Sequence, residues 1–207
     1  MNYLEFKRKM EKFHVFSIRE IDKQFDDFDS RRLVEWQKRG YILKLRNSYY
    51  CFADNKDENG IRFYAGTVIY NPSYISLESA LSWYGFIPEA VFQTTLSTTL
   101  KTNKFETPIG NFSYRHLKSD LFFGYKLNDF KNHHYPFAYP EKAILDYLYL
   151  HPEIAQTLDL KQLRWNDTVM RETIDIDRLN NYEARAKNKL LSERIKILKE
   201  FIDVRNK

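Results

Sequence analysis

The sequence predicts an α+β fold in two parts: a small helical unit closed by a hairpin, then a larger mixed α+β unit ending in a helical tail. Three observations predict it. Residues 31–39 carry a helical apolar spacing that stops at Gly40 and gives way at once to residue-by-residue alternation. Residues 54–60, DNKDENG, contain no apolar side chain and mark a boundary between parts 1–56 and 57–207. Beyond that boundary, β-branched runs are interspersed with strongly apolar helical runs.

The totals fit a packed protein. Of 207 residues, 43% are hydrophobic, 16% aromatic and 29% charged, with only 6 Gly and 6 Pro, which excludes disordered and fibrous classes. No apolar run approaches the roughly 18 residues a membrane-spanning helix needs, and the first residues lack a signal-peptide pattern, so the chain is expected in the cytoplasm with no membrane partner. Cys51 is the only cysteine, which rules out an internal disulfide and a thiolate zinc cluster. The net charge of +5 is unevenly spread: residues 1–56 hold 13 basic side chains against 9 acidic, residues 57–207 hold 20 against 19. The excess in the first quarter points to a polyanionic partner there.

In chain order, residues 3–13 read as a first helix with Leu4, Met10 and Phe13 roughly on one face. His14, Val15 and Phe16 form a short extended link. Ser17 and Glu20 make a capping box for a second, short helix. Asp26 to Asp29 turn the chain, with Asp29 or Ser30 as the next N-cap. The third helix, RRLVEWQKR, buries Leu33 and Trp36 and stops at Gly40. A hairpin follows: YILKL, a turn at Arg46, Asn47 and Ser48, then YYCF. Beyond the linker, IRFYAGTVI and SLESALSWYG read as helices separated by Asn71 and Pro72. Residues 91–99 read as a strand, residues 105–118 as a hairpin around Thr107, Pro108 and Gly110, and LFFGYKL as more β structure. Pro140 opens the apolar helix PEKAILDYLYL, in which Asp146 sits among apolar neighbours as a buried, hydrogen-bonded group. A further helix is expected near residues 158–165, then an amphipathic helix over 177–204 with room for one break.

Three short helices followed by a two-stranded hairpin is the order of a winged helix-turn-helix, whose third helix enters the major groove while the wing lies along the backbone. Arg31 and Arg32 at the start of the third helix could reach guanine edges. Lys38 and Arg39 at its end, and Lys44 and Arg46 on the wing, suit phosphate contact. Strict alternation would put Ile42, Lys44 and Arg46 on one outward face and Leu43 and Leu45 inward. Two other readings stay open: arginines flanking a short helix are usually a solvated face, and a winged helix also serves as a protein-interaction adaptor. No cofactor or metal is expected. Asp175 and Asp177 have the spacing of a Mg²⁺-holding pair in a nucleotidyltransferase but lack its Gly-Ser turn, and read as a capping or surface pair. His133 and His134 read as a loop pair, and Cys51 as a small buried hydrophobe without a reason to pair with His14.

Three ordered stretches, WQKRGYILKLRNSYYCF, PSYISLESALSWYGFIPEAV and FAYPEKAILDYLYL, resemble the AbiEi-type antitoxins of type IV toxin–antitoxin systems, also described as abortive-infection transcriptional regulators. The resemblance implies an N-terminal winged helix-turn-helix that binds inverted repeats in its own promoter as a repressor. It also implies an antitoxin-like α+β C-terminal domain that neutralises a nucleotidyltransferase-like toxin without a stable complex. The protein would then be a regulator and not an enzyme. Ser48 stands where wings of that family commonly have Gly before the Tyr, so Asn47 is expected to take the positive φ of the turn and to join the DNA-contacting set.

Overall fold

The computed structural model describes residues 2–203. Among them are ten α-helices and two β-sheets in a mixed α+β fold. The first sheet has three strands, β1 (Val15–Ser17), β2 (Ile42–Arg46) and β3 (Tyr49–Phe52), in the order β1-β3-β2 and antiparallel throughout. Helices α1 (Tyr3–Met10), α2 (Ile18–Gln24) and α3 (Arg31–Lys38) complete this unit. The extended link expected at residues 14–16 is therefore a strand, β1, added beside β3.

Local chemistry sets these boundaries. The expected capping box is present: Ser17 N–H donates to the Glu20 carboxylate at 2.6 Å, and Glu20 N–H to the Ser17 hydroxyl at 3.3 Å. Ser30 stands at the N-cap position of α3 but makes no side-chain bond there; the Asp29 carboxylate just before it takes the capping role, accepting from the Arg31 N–H at 3.0 Å. The helix ends where Gly40 turns left-handed with φ +70°, so that Tyr41 N–H reaches the Trp36 carbonyl and Gly40 N–H the Gln37 carbonyl. The first helix corrects its expected face. Phe6 and Met10, four residues apart, enter the core, and Leu4, two residues (about 200°) from Phe6, is 75% exposed.

Both faces of the small sheet are covered. Phe16, Ile42, Tyr50 and Phe52 pack with Phe6, Met10, Ile21, Leu33 and Trp36 in one apolar cluster beneath the helices. Val15, Leu45 and Cys51 point the other way and belong to the core of the larger unit, with Leu43 and Tyr49 packed beside them. Ile42 is thus buried, contrary to the outward face expected for it. Ile42 does share a face with Lys44, but that face is the one the helices cover; Arg46 leaves it because of a β-bulge at Leu45, where the register passes from Lys44 opposite Tyr50 to Arg46 opposite Tyr49, which turns both Leu45 and Arg46 toward the second unit.

Residues 53–60 form a 3₁₀ turn and tight bends rather than a loose tether. The second sheet has six strands in the order β6-β7-β5-β4-β9-β8, built from β4 (Ser73–Ile75), β5 (Gln93–Thr98), β6 (Asn103–Thr107), β7 (Gly110–His116), β8 (Tyr125–Phe130) and β9 (His133–Ala138). It is mixed, with β4 parallel to β9 and β5 parallel to β7. Helix α4 (Ile61–Ile69) lies on one face, where the Tyr114 hydroxyl donates to the Gly66 carbonyl at 2.7 Å. Helices α5 (Leu77–Trp83) and α6 (Pro140–Leu150) cover the other. The tail holds α7 (Thr157–Gln162), α8 (Asp167–Thr173), α9 (Ile176–Ala186) and α10 (Lys189–Asp203). The one break allowed in the tail falls at Lys187, which has φ +46°. Val204, the expected end of the tail helix, lies outside the described residues.

Inside this unit sits a buried ionic network. Lys142 and Asp146, one turn apart on α6, form an ion pair with both side chains 0% exposed. The other Asp146 oxygen accepts from the hydroxyls of Tyr74 at 2.7 Å, Ser76 at 2.8 Å and Ser97 at 3.1 Å. Asp146 is thus the buried, hydrogen-bonded group expected of it. The Lys142 ammonium lies between the Tyr74 and Phe123 rings, 5.5 and 5.0 Å from their centroids. Burial pushes its pKa below the usual lysine value, against the pull of Asp146. Gly124, at φ +75°, leaves room for the lysine stem, since a Cβ there would stand 3.0 Å from it.

Candidate nucleic-acid interface

Helix α3 buries Leu33 and Trp36, each 2% exposed, against the N-terminal core. Its remaining faces meet solvent, and there the sequence put Arg31, Arg32, Lys38 and Arg39. Arg31 projects into solvent, with its side chain 90% exposed, and its guanidinium Nε donates to Asp29 at 2.9 Å. That hydrogen bond holds the Asp29 carboxyl below its ordinary pKa. Arg39 pairs with Glu35 at 2.9 Å, and Arg32 reaches the same carboxylate at 3.8 Å. Lys38 is exposed and makes no ion pair among the described residues. These surface pairs are weak and screened by salt, so a phosphate or base edge can replace the carboxylate at small cost.

The hairpin divides the remaining three. Lys44 is exposed and unpaired among the described residues. Asn47 is exposed in the turn, but the positive φ there belongs to Ser48, at +69°. Serine tolerates that conformation because the Ser48 carbonyl is held by the Ile18 N–H at 3.0 Å, which fixes the turn from outside. Arg46 is turned away from the others. Its Nη1 donates to the Ile69 carbonyl at the end of α4 at 2.6 Å, and its guanidinium stacks 5.0 and 4.8 Å from the Tyr70 and Phe105 rings. A cation at a helix C-terminus is stabilised by the helix dipole and the free carbonyl. Arg46 therefore joins the two units, and the side chains open to a duplex are Arg31, Arg32, Lys38, Arg39, Lys44 and Asn47. No sequence signal marked this, since the bulge that turns Arg46 is invisible to alternation.

The other candidates have structural partners. Asp175 caps α9, accepting from the Arg178 N–H at 3.0 Å, and pairs with the Arg178 side chain at 3.4 Å; Asp177, two residues on in the first turn, is exposed. Glu141, fully buried, accepts from the Asp175 N–H at 2.8 Å and so braces the same corner. His133 and His134 open strand β9 rather than a loop, and point apart: His133 Nε2 meets the Lys12 carbonyl at 2.7 Å, His134 Nδ1 the Asp129 carboxylate at 2.7 Å. Among the described residues no group of three His, Cys, Asp or Glu could hold a metal ion. Cys51 is buried, and burial raises its thiol to about 12, as befits a packing residue. No helix of the described residues is long and apolar enough to cross a membrane.

His14 sits where the units meet. Its Nδ1 and the Glu58 Oε2 face each other at 3.9 Å, both buried and both without a hydrogen bond. Lys131 pairs with the other Glu58 oxygen, and the His133 ring stands 5.6 Å away. Burial, with Lys131 and His133 adding to it and Glu58 opposing, holds the His14 pKa below 6.5. A histidine depressed in the folded state contributes stability above its unfolded pKa and loses it as pH falls through the folded value. The unfolding midpoint is therefore expected to drop as pH goes from 7 to 5.5, and His14→Asn, which tolerates the φ of +49° found there, should flatten that drop. Denaturant titrations of both proteins across that range check it; identical slopes would remove His14 from the account.

No protein-family model matches the chain, and no curated protein matches it.

Proposed function

We propose that this protein is a DNA-binding transcriptional repressor that controls its own operon. The observation that carries this is the N-terminal architecture. Helix, strand, helix, helix and hairpin follow one another, with β1 added beside β3, which supports the reading of the unit as a winged helix-turn-helix. In that reading α3 is the reading helix, with Arg31 and Arg32 at its groove-entering end and Lys38, Arg39 and Lys44 placed for phosphates. As part of the same proposal, the larger unit is the antitoxin half, acting against a nucleotidyltransferase-like toxin without a lasting complex, in the cytoplasm and without catalysis of its own. The support is the resemblance of residues 72–91 and 137–150 to AbiEi-type antitoxins. Those two stretches meet in space: Tyr74 and Ser76 of the first donate to Asp146 of the second, and the Tyr84 hydroxyl donates to the Ala138 carbonyl at 2.8 Å.

The test is fluorescence anisotropy with DNA from upstream of the gene against a scrambled duplex, at about 150 mM salt. A preference of roughly 10³-fold or more is expected of a specific regulator. Equal binding to both, no tighter than about 10⁻⁴–10⁻⁶ M, would overturn the reading. It would favour the protein-binding adaptor instead.

A further inference from the structure

A cleft of about 790 Å³ opens between the first turn of α4, the end of α5 and the start of β5, in the size range of small-molecule sites. Part of its wall is aromatic. Trp83 ends α5 with 60% of its surface exposed, held by the Phe63 and Phe137 rings at 5.8 and 5.7 Å. Beside it stands the start of α4. That helix has no side-chain cap and no acidic residue in its first turn, and the N–H groups of Arg62 and Phe63 find no partner among the described residues. A cation, Arg62, occupies the first turn instead, where the helix dipole disfavours it.

Arg62 is also the one charge of this cleft without a counter-charge among the described residues. Lys56 faces Asp57 at 3.8 Å, Lys131 pairs with Glu58, and Asp129 meets the His134 ring at 2.7 Å. The Arg62 side chain lies along Gly110 in the β6–β7 turn, its Cδ 3.4 Å from where a Cβ would stand. Thr94 lines the cleft and is only 7% exposed, yet its hydroxyl makes no hydrogen bond among the described residues. A buried hydroxyl left bare is costly unless something meets it. We propose that this cleft binds a mononucleotide, with its base against Trp83 and its phosphate on Arg62 and the bare N–H groups of α4. An exposed indole face suits a planar ring, and a guanidinium at a helix N-terminus suits a phosphate. One free cation matches one phosphate; a polyphosphate or a nucleic-acid strand would need several. The Thr94 hydroxyl and the exposed Gln93 amide supply hydrogen bonds for the sugar or the base edge. The proposal stands on the cleft alone, whether or not α3 reads DNA.

The experiment uses the full chain as wild type, Arg62→Gln and Thr94→Val, with circular dichroism and urea midpoints to show that the fold is kept. The probes are the adenosine, guanosine, cytidine and uridine monophosphates, adenosine, and inorganic phosphate, each titrated by calorimetry. Quenching of tryptophan fluorescence by acrylamide is then read with and without saturating probe. At least one mononucleotide is expected to bind wild type with a Kd below about 1 mM. It should shield Trp83 from acrylamide, because Trp36 and Trp165 are buried and contribute little to the quenching. Adenosine and phosphate alone should each bind roughly tenfold or more weakly than the mononucleotide, and Arg62→Gln should weaken it by a similar factor. Thr94→Val should weaken it less, since it removes one neutral hydrogen bond. No mononucleotide binding to wild type, binding that leaves Trp83 open to acrylamide, or binding unchanged in Arg62→Gln would each overturn the proposal. Phosphate that binds as tightly as every mononucleotide would overturn it as well, leaving a bare anion site with no role for the ring. The wild-type titrations and quenching decide the matter even if a variant fails to fold.

Discussion

Replacing Asp146 by alanine is expected to lower the stability of the protein by about 3–5 kcal/mol, the range for removing one partner of a buried ion pair. Asp146 is the shared acceptor for Lys142, Tyr74, Ser76 and Ser97, and both ionic side chains are wholly shielded from water. The variant leaves a buried ammonium and three buried hydroxyls without their acceptor. The ammonium can escape part of this by losing its proton, which burial already favours. The double change Lys142→Met/Asp146→Leu removes both charges together and should recover a large part of the loss, since well-packed apolar replacements of buried pairs are often tolerated. Urea unfolding of the three proteins measures it. A loss below about 1 kcal/mol for the single variant would mean that the network is not closed to solvent.

Replacing Arg31 by alanine is expected to cut discrimination between upstream and scrambled DNA by about 1–3 kcal/mol while leaving nonspecific binding nearly as it was. Arg31 stands at the N-terminal end of α3 with its side chain 90% exposed, and only the surface carboxylate of Asp29 holds it. Removing that carboxylate by Asp29→Ala frees the arginine but also removes the cap of α3, so its effect on binding combines two opposing terms. Arg31→Ala separates them, because the Asp29 cap is made by the backbone N–H of residue 31 and survives. Specificity that persisted in this variant would take the reading role away from the start of α3.

Much of the first unit was legible in the sequence because its signals are local. The Ser17–Glu20 capping box, the Gly40 stop and the Leu33–Trp36 spacing each depend on residues within one turn of each other, and each appears where the spacing put it. What local pattern cannot carry is which neighbour covers a strand. Val15 and Phe16 look like a link because three residues are too few for alternation to register, and only pairing with β3 makes them a strand. Ile42 reads as outward because alternation does not say that helices roof its face, and Arg46 reads as outward because alternation counts residues and a bulge does not announce itself. The basic residues of α3 were legible as a group; the diversion of Arg46 was not, because its partners Ile69, Tyr70 and Phe105 are 23 residues or more further along. Strand β4 was missed for the same reason as β1, being three buried residues between Pro72 and a helix.

The small sheet is roofed by helices on one side and floored by the second unit on the other. A chain cut at residue 56 would bare Val15, Leu43, Leu45 and Cys51 as a continuous oily sole, and would leave Arg46 without its seat. The first quarter of the protein is thus not a detachable head on a flexible neck. Any descendant that grafted it onto a different body would have to inherit the matching floor as well, so the two halves are bound to change sequence in step along that seam.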